Sequence, residues 1–365
     1  MTEKLKNEVM RLLGVIFILV LIMGCTNRQK GNNVFYNNWA ESPKDGAFKM
    51  QDWIIWGGSV IKAEDGKYYM YSSRWAKKLS MSAWVTNSEV VLAISDKPEG
   101  PYTFEKIVLP SRGKDYWDGM ATHNPNIQYH DGKYILFYTG VTYNFDQPSD
   151  SVPTRDMYEK AWNNKRIGVA VSDSPMGPWE RKDTPSLEPR AGMWDGAIIS
   201  NPAPVIHKDG SVLLIYKSAP VPYPERNKNG IMRFGVARAD HYLDIFKRIG
   251  ENNQISIEPI DTNIEDPYVW YDGTKYFMLA KCMDSAITGE KGAGFISLSF
   301  NGIDWKIFEN PVAYSKTVTL TDGTTEEMLK LERPQVLLEN GIPTHVFFAC
   351  RNSKSEIFNI VRPLK

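Results

Sequence analysis

The sequence predicts an all-β chain folded as a five-bladed β-propeller with four-stranded antiparallel blades. Two observations carry that prediction. A phrase of apolar run, tight turn and aromatic-rich run returns five times, with turns at Asp65-Gly66, Asp131-Gly132, Asp209-Gly210, Asp272-Gly273 and Asn340-Gly341. The separations of 66, 78, 63 and 68 residues are nearly constant, and self-similarity at a steady period marks a repeat architecture. Each period also alternates short apolar strands with Gly, Asp and Pro turns, enough for four strands per repeat.

Taken in order, the chain begins with a weakly basic start (Lys4, Lys6, Arg11) and an apolar run from Leu12 to Met23, too short to span a bilayer. The run ends in Ile22-Met23-Gly24-Cys25, which resembles a bacterial lipoprotein signal. Residues 1–24 are therefore expected to be a signal peptide, Cys25 the lipidated residue, and 25–33 a polar tether to the propeller of residues 34–365. By that resemblance the expected location is the outer membrane, because position 26 is not Asp.

Repeat one reads as strand, turn, strand over residues 59–73, with a further strand pair over 90–106. The same pattern recurs over 127–140 and 167–182, over 204–218 and 234–248, and over 268–281 and 294–308. The fifth repeat, from Glu332 to Leu364, has room for three strands, so the segment around Val34–Asn37 is expected to close the ring. Long loops at 74–89, 142–166, 219–233 and 283–292 follow the second strand of each repeat, which places them on the ligand face. The second of them is expected to hold one helix, Arg155–Trp162.

Composition narrows the function. The 365 residues are 42% apolar and 12% aromatic, and 43 basic residues balance 43 acidic ones. A neutral chain has no field to attract nucleic acid. Beyond Cys25 only Cys282 and Cys350 remain, both in apolar strands, where buried free thiols are expected. No spaced Cys/His set suggests zinc, no ligand motif supports an axial calcium, and no cofactor is expected. His207, His241 and His345 read as surface or core residues.

Aligned on the turns, each inner strand starts with a residue pair: Gly57-Gly58, His123-Asn124, Ser200-Asn201, Glu265-Asp266 and Glu332-Arg333. Pro follows the last four. Six residues before each of the first three pairs' second members stand Asp52, Asp118 and Asp195, the latter two in Trp-Asp-Gly phrases. With Glu265, Asp266 and Glu332, six carboxylates are expected to converge on one rim, opposed by Arg333 and His123. Crowded anions raise one another's pKa, and two carboxylates of different pKa are what glycoside hydrolysis needs.

The Asp-Gly-Lys-Tyr hairpins, the Ala170–Trp179 and Ala93–Tyr102 phrases, Glu265-Asp266-Pro267 and Glu332-Arg333-Pro334-Gln335 resemble the five-bladed propeller glycoside hydrolases. The nearest groups are families 43 and 117, with features of the sucrose-acting families 32 and 68. The resemblance spans about residues 50–360 and implies Asp52 as base, Asp195 as orienting acid and Glu265 as general acid. Trp56, Asp118, His123, Asn124, Asn201, Asp266, Glu332 and Arg333 are expected to line the sugar pocket. Where family 43 places strand-start aspartates, this chain has Gly58 and Asn201.

The expectation is a monomeric, exo-acting, inverting glycosidase that takes an oligosaccharide and is tethered to the membrane through Cys25. Two alternatives stay open. One is a retaining fructoside-type hydrolase or transglycosylase using Asp266 and Glu332; the other is a tethered glycan-binding propeller without catalysis. The sugar, the linkage and the membrane face have no readable code in the sequence.

Overall fold

A computed structural model describes residues 33–365 apart from 226–230, 251–253 and 259–262. The leader, Cys25 and residues 25–32 of the tether lie outside the described residues. The described chain is a five-bladed propeller. From the inside outward, blade one is Trp53–Lys62, Tyr68–Ala76, Glu89–Ser95 and Thr103–Leu109. Blade two is Ala121–His130, Lys133–Val141, Lys165–Ser172 and Glu180–Arg181, and blade three is Ile198–Ile206, Val212–Ala219, Arg233–Ala239 and Lys247–Arg248. Blade four is Ile264–Tyr271, Tyr276–Cys282, Gly294–Ser299 and Asp304–Tyr314, with Ser256–Glu258 added parallel at its outer edge. Blade five has the expected three strands, Lys330–Glu339, Ile342–Arg351 and Ile357–Pro363.

Each inner strand touches the inner strands of both neighbouring blades, which closes the ring. The core is divided accordingly. Five apolar clusters occupy the five junctions between blades, such as Ile135, Phe137, Leu214 and Tyr216 between blades two and three. Burial of these side chains between blades is the main favourable term holding the ring together. Cys282 and Cys350 are buried free thiols within this packing, as expected.

The repeated turns are hairpins of two kinds. Asp131-Gly132 and Asn340-Gly341 have positive φ at both positions (47° and 75°, 54° and 79°), the conformation that Asn-Gly and Asp-Gly favour. At the other three turns only the glycine is left-handed. There the aspartate side chain accepts from the amide two residues on: Lys67 to Asp65, Ser211 to Asp209 and Thr274 to Asp272.

Closure of blade five differs from the expectation. Val34–Asn37 forms a turn that buries Phe35 against Trp39 and Trp270, rather than a strand. The edge of blade five is met further along, where Trp39 bridges Leu364 and Phe48 bridges Asn359. Gly46 lies between the two bridges. Its φ of +76° bends the chain, and any Cβ there would lie 2.6 Å from the Phe358 ring.

Helix Arg155–Trp162 is present in the second-blade loop as expected, its start capped by the Thr154 hydroxyl, which accepts from the Met157 amide. It packs against a shorter helix, Trp84–Asn87, in the first-blade loop. Together they build an aromatic shoulder over one side of the axis.

Candidate active site

Each inner strand carries a bulge at its starting pair, seen as a slip in pairing register with the second strand. Gly57, Asn124, Asn201, Asp266 and Arg333 are all left-handed there, with φ between 54° and 72°. In blades two to five the following proline has no amide to give the ladder and keeps its predecessor out of the right-handed helical region, so the sequence itself breaks pairing at this point; in blade one Gly58 takes its place. Gly, Asn and Asp tolerate left-handed backbone; Arg333 is held in it at a cost of about 1–2 kcal/mol. Strain of this kind is retained where surrounding contacts over-determine it.

The bulges stitch neighbouring blades around the axis. Asn124 Nδ2 donates to Asn201 Oδ1 at 2.8 Å, and Asn201 Nδ2 donates to Asp266 Oδ1 at 2.6 Å. The Arg333 amide donates to Asp266 Oδ2 at 3.1 Å. Behind them, the amides of Asn124 and Asn201 donate to Ser73 Oγ and Thr139 Oγ1 of the preceding blade.

The residue before each left-handed one faces a cross-strand partner; in blade one this is Trp56, so the structural pair there is Trp56-Gly57, one residue earlier than the expected Gly57-Gly58. Ser73 sits opposite Trp56, Thr139 opposite His123, Lys217 opposite Ser200, Lys281 opposite Glu265, and Ala349 opposite Glu332. Two of these five positions are buried lysines. Lys281 Nζ donates to Glu332 Oε1 at 2.5 Å and lies 3.9 Å from Glu265 Oε2. Lys217 Nζ is 3.5 Å from Glu265 Oε1. One ammonium therefore bridges the two glutamates, whose nearest oxygens are no further apart than the sum of its two distances.

Charge states follow from these contacts. Burial favours the neutral Asp266 acid, but Arg333, Lys217, Lys281 and the Arg333 amide outweigh it and hold the carboxyl below its ordinary value. Burial likewise opposes the Lys281 charge, and Glu332, Glu265 and Asp266 overcome it, raising its pKa. His123 is pushed well below its ordinary value by burial, reinforced by Lys165, Arg333 and Lys217, so its ring is neutral. Its Nδ1 lies 3.3 Å from Ser88 Oγ, and its buried Nε2 has no hydrogen-bond partner among the described residues.

These groups floor a cleft of about 280 Å³ at the mouth of the axis. Trp56, Trp75, Trp84, Tyr158, Trp162 and Tyr223 form its walls. Lys165 is sandwiched against this shoulder, its Nζ 4.0 Å from the Trp162 ring centroid and 4.9 Å from that of Trp84.

Eight of the residues expected at the site are brought together here: Glu265, Trp56, His123, Asn124, Asn201, Asp266, Glu332 and Arg333. Three are not. Asp52 is solvent-exposed before the first strand and outside the cleft lining. Asp118 is fully buried in a clasp of Arg112, Arg181 and the Tyr138 hydroxyl. Asp195 is fully buried in an equivalent clasp of Arg190, Arg248 and the Tyr216 hydroxyl. Their tryptophans stack on the same tyrosines, Trp117 on Tyr138 and Trp194 on Tyr216. The Trp-Asp-Gly phrase is thus a structural clasp used twice, and the roles expected for Asp52, Asp118 and Asp195 at the pocket are corrected.

The lysines went unread in the sequence, although a signal existed. Lys217 and Lys281 stand eight or nine residues after their turns, as do Ser73, Thr139 and Ala349. Counting outward on both sides of each turn would have found them. The aromatic shoulder has no such register, because its residues come from loops. Among the described residues no group of three or more His, Cys, Asp or Glu side chains is placed to hold a metal ion.

No protein-family model matches the chain. A probable arabinan endo-1,5-alpha-L-arabinosidase C of Aspergillus fumigatus is 26% identical over 140 residues, which is 38% of this chain and 39% of that relative. The match thus spans about two fifths of the length of that curated relative. Among solved structures, a family 117 glycoside hydrolase of the marine bacterium Zobellia galactanivorans superposes with a TM-score of 0.58 at 17% identity, covering 89% of this chain and 88% of that one. Native arabinanase of Bacillus subtilis gives 0.55 at 14%, covering 89% and 96%. A family 43 beta-xylosidase/alpha-arabinofuranosidase from a compost microbial metagenome, solved with xylotriose, gives 0.54 at 15%, covering 90% and 95%. The five-bladed propeller is the fold of these glycoside hydrolases.

Proposed function

We propose that this chain is a glycoside hydrolase that acts at the ends of oligosaccharides, with Glu265 and Glu332 as its carboxylate pair. The observation that carries the reading is the position of these two glutamates, bridged by Lys281 on the floor of an aromatic cleft. The likeness to propeller glycosidases and the partial arabinosidase match support the reaction class. The small cavity, walled by loops, favours a chain end over the middle of a polymer.

The pair also bears on stereochemistry. Inverting enzymes keep their carboxyl groups roughly 6.5–9.5 Å apart to admit water, and retaining enzymes about 5–5.5 Å. The contacts of 2.5 and 3.9 Å to one ammonium favour the closer arrangement. The blade-one rim, where an inverting base is expected, carries Trp56, Gly57 and Gly58.

The proposed reaction is a double displacement. Glu332, its charge countered by Lys281, attacks the anomeric carbon as Glu265 gives its proton to the departing oxygen and the glycosidic bond breaks. Glu265 then takes a proton from water, whose oxygen displaces Glu332 and releases the sugar. Asp266, anchored by Asn201 and Arg333, remains an anion beside the developing positive charge.

The test is hydrolysis of a glycoside panel by wild type, Glu265→Gln and Glu332→Gln, with the product anomer followed by NMR. Loss of about 100-fold or more in kcat for both variants, with a retained anomer first, is expected. Wild-type rates in either variant overturn the assignment. Glycan binding without turnover by the wild type establishes the binding-protein reading instead, which the departure at Gly57-Gly58 favours.

A further inference from the structure

Arg333 is the most unusual side chain in the cleft. It is 3% exposed, yet among the described residues two of its three guanidinium nitrogens, Nε and Nη1, have no hydrogen-bond partner. Its charge is met by a buried ion pair with Asp266, whose Oδ1 lies 3.7 Å from Nη1, too far for a hydrogen bond. A buried, unsatisfied guanidinium is expensive, and Arg333 is also held in left-handed backbone. Beside it the buried Nε2 of His123 is unpartnered as well. Both residues line the cleft, so two orphaned polar groups border the space a ligand would fill.

The cleft is also polarised. The charges that line it balance, Lys217, Lys330 and Arg333 against Glu265, Asp266 and Glu332, and Lys281, paired to both glutamates from outside that lining, brings a surplus of one positive charge. The glutamates and Lys281 lie on blades four and five. The His123 side faces Lys165, Lys217 and Arg333. A neutral sugar hydroxyl could satisfy one donor but not the surplus charge. A carboxylate would satisfy both, because its two oxygens match the planar guanidinium fork.

Building on the glycosidase reading, we propose that the sugar bound in this cleft is anionic, a uronic acid whose carboxylate is received by Arg333 with Lys217 and His123 alongside. The scissile bond then falls on the opposite side, over Glu265 and Glu332. A charged acceptor then sits where Arg333 Nε and Nη1 lack a hydrogen-bond partner among the described residues.

Binding and turnover are measured separately. Calorimetry with Glu332→Gln compares three oligosaccharides of one backbone: one ending in a hexuronate, one in its methyl ester and one in the neutral hexose. A sulfated hexose and α-L-arabinosides complete the panel. The hexuronate is expected to bind on the order of 10- to 100-fold more tightly than its methyl ester, the scale of a hydrogen bond between charged groups. Lys217→Met, which leaves the strained bulge intact, should reduce that preference, and Arg333→Lys should reduce it further if it folds. Equal binding of hexuronate, ester and hexose overturns the proposal, as does preference for the sulfated sugar over the hexuronate. Wild-type hydrolysis of neutral arabinosides but not uronides overturns it while leaving the glycosidase reading intact. Selective uronate binding with no hydrolysis of any substrate supports it and removes the glycosidase reading.

Discussion

Replacing Asp195 with asparagine is expected to destabilise the propeller without disabling the cleft. The carboxylate is 0% exposed and accepts from Arg190 Nε at 2.9 Å, Arg248 Nε at 2.5 Å and the Tyr216 hydroxyl at 3.0 Å. Asparagine keeps the shape but removes the charge and turns an amide toward cations. Breaking a buried ion pair costs about 3–5 kcal/mol. The lower end applies here, because the Arg190 side chain is 33% exposed and partly served by water. With an unfolding entropy of about 2.1 cal/mol/K per residue, a chain of this length should lose about 4 °C in Tm. The assay is calorimetry of wild type, Asp195→Asn and Asp118→Asn, with the same measurement repeated in high salt. Both deficits should persist in salt, since buried pairs are poorly screened. A wild-type Tm in Asp195→Asn combined with a collapse of kcat would refute the clasp and restore Asp195 to catalysis.

Lys281→Met should leave two partly buried carboxylates without their shared cation and lower stability by about 3 kcal/mol at neutral pH. In a double-mutant cycle, Glu332→Gln in the Lys281→Met background should recover part of that loss, with a coupling of about 0.5–3 kcal/mol. Because Lys281 titrates above its ordinary 10.5, this contribution should be intact at neutral pH and fade only as pH rises past that value in denaturant titrations. His123 works in the opposite direction. Its folded pKa lies below 6.5, so protonation of the unfolded chain should cost up to about 1.4 kcal/mol per pH unit below about pH 6.5, a slope that His123→Gln removes. Gly168→Ala should cost about 1–3 kcal/mol, since the added Cβ would lie 2.3 Å from the Trp117 ring that caps the Asp118 clasp. Wild-type stability there would mean that the Trp117 stack is loose.

Much of the molecule was legible in the sequence. The turns at Asp65, Asp131, Asp209, Asp272 and Asn340 announced the blades, and their register found four of the five strand-start pairs that meet at the axis, missing the blade-one pair by one residue because no proline marks it. Helix Arg155–Trp162 was readable as well. The clasps were misread for a geometric reason. Asp118 and Asp195 repeat because they do the same thing in two blades, and a repeat cannot say whether that is catalysis or packing. They also lie before the strand begins, in loops where the two-residue alternation of facing no longer applies.

By itself the sequence determined the number of blades, the hairpins and the bulges. Each of these depends on local chemistry: glycine at left-handed φ, proline without an amide, and alternating strands. Only the tertiary structure decided which charges meet. Lys281 stands far from Glu332 in the chain but 2.5 Å from it across a blade junction. Arg112 and Arg190 stand six and five residues before Asp118 and Asp195, but Arg181 and Arg248, which complete the two clasps, arrive from outer strands. Pairing of charges depends on distance and burial, and in a ring of blades both are set by neighbours that the local sequence does not contain.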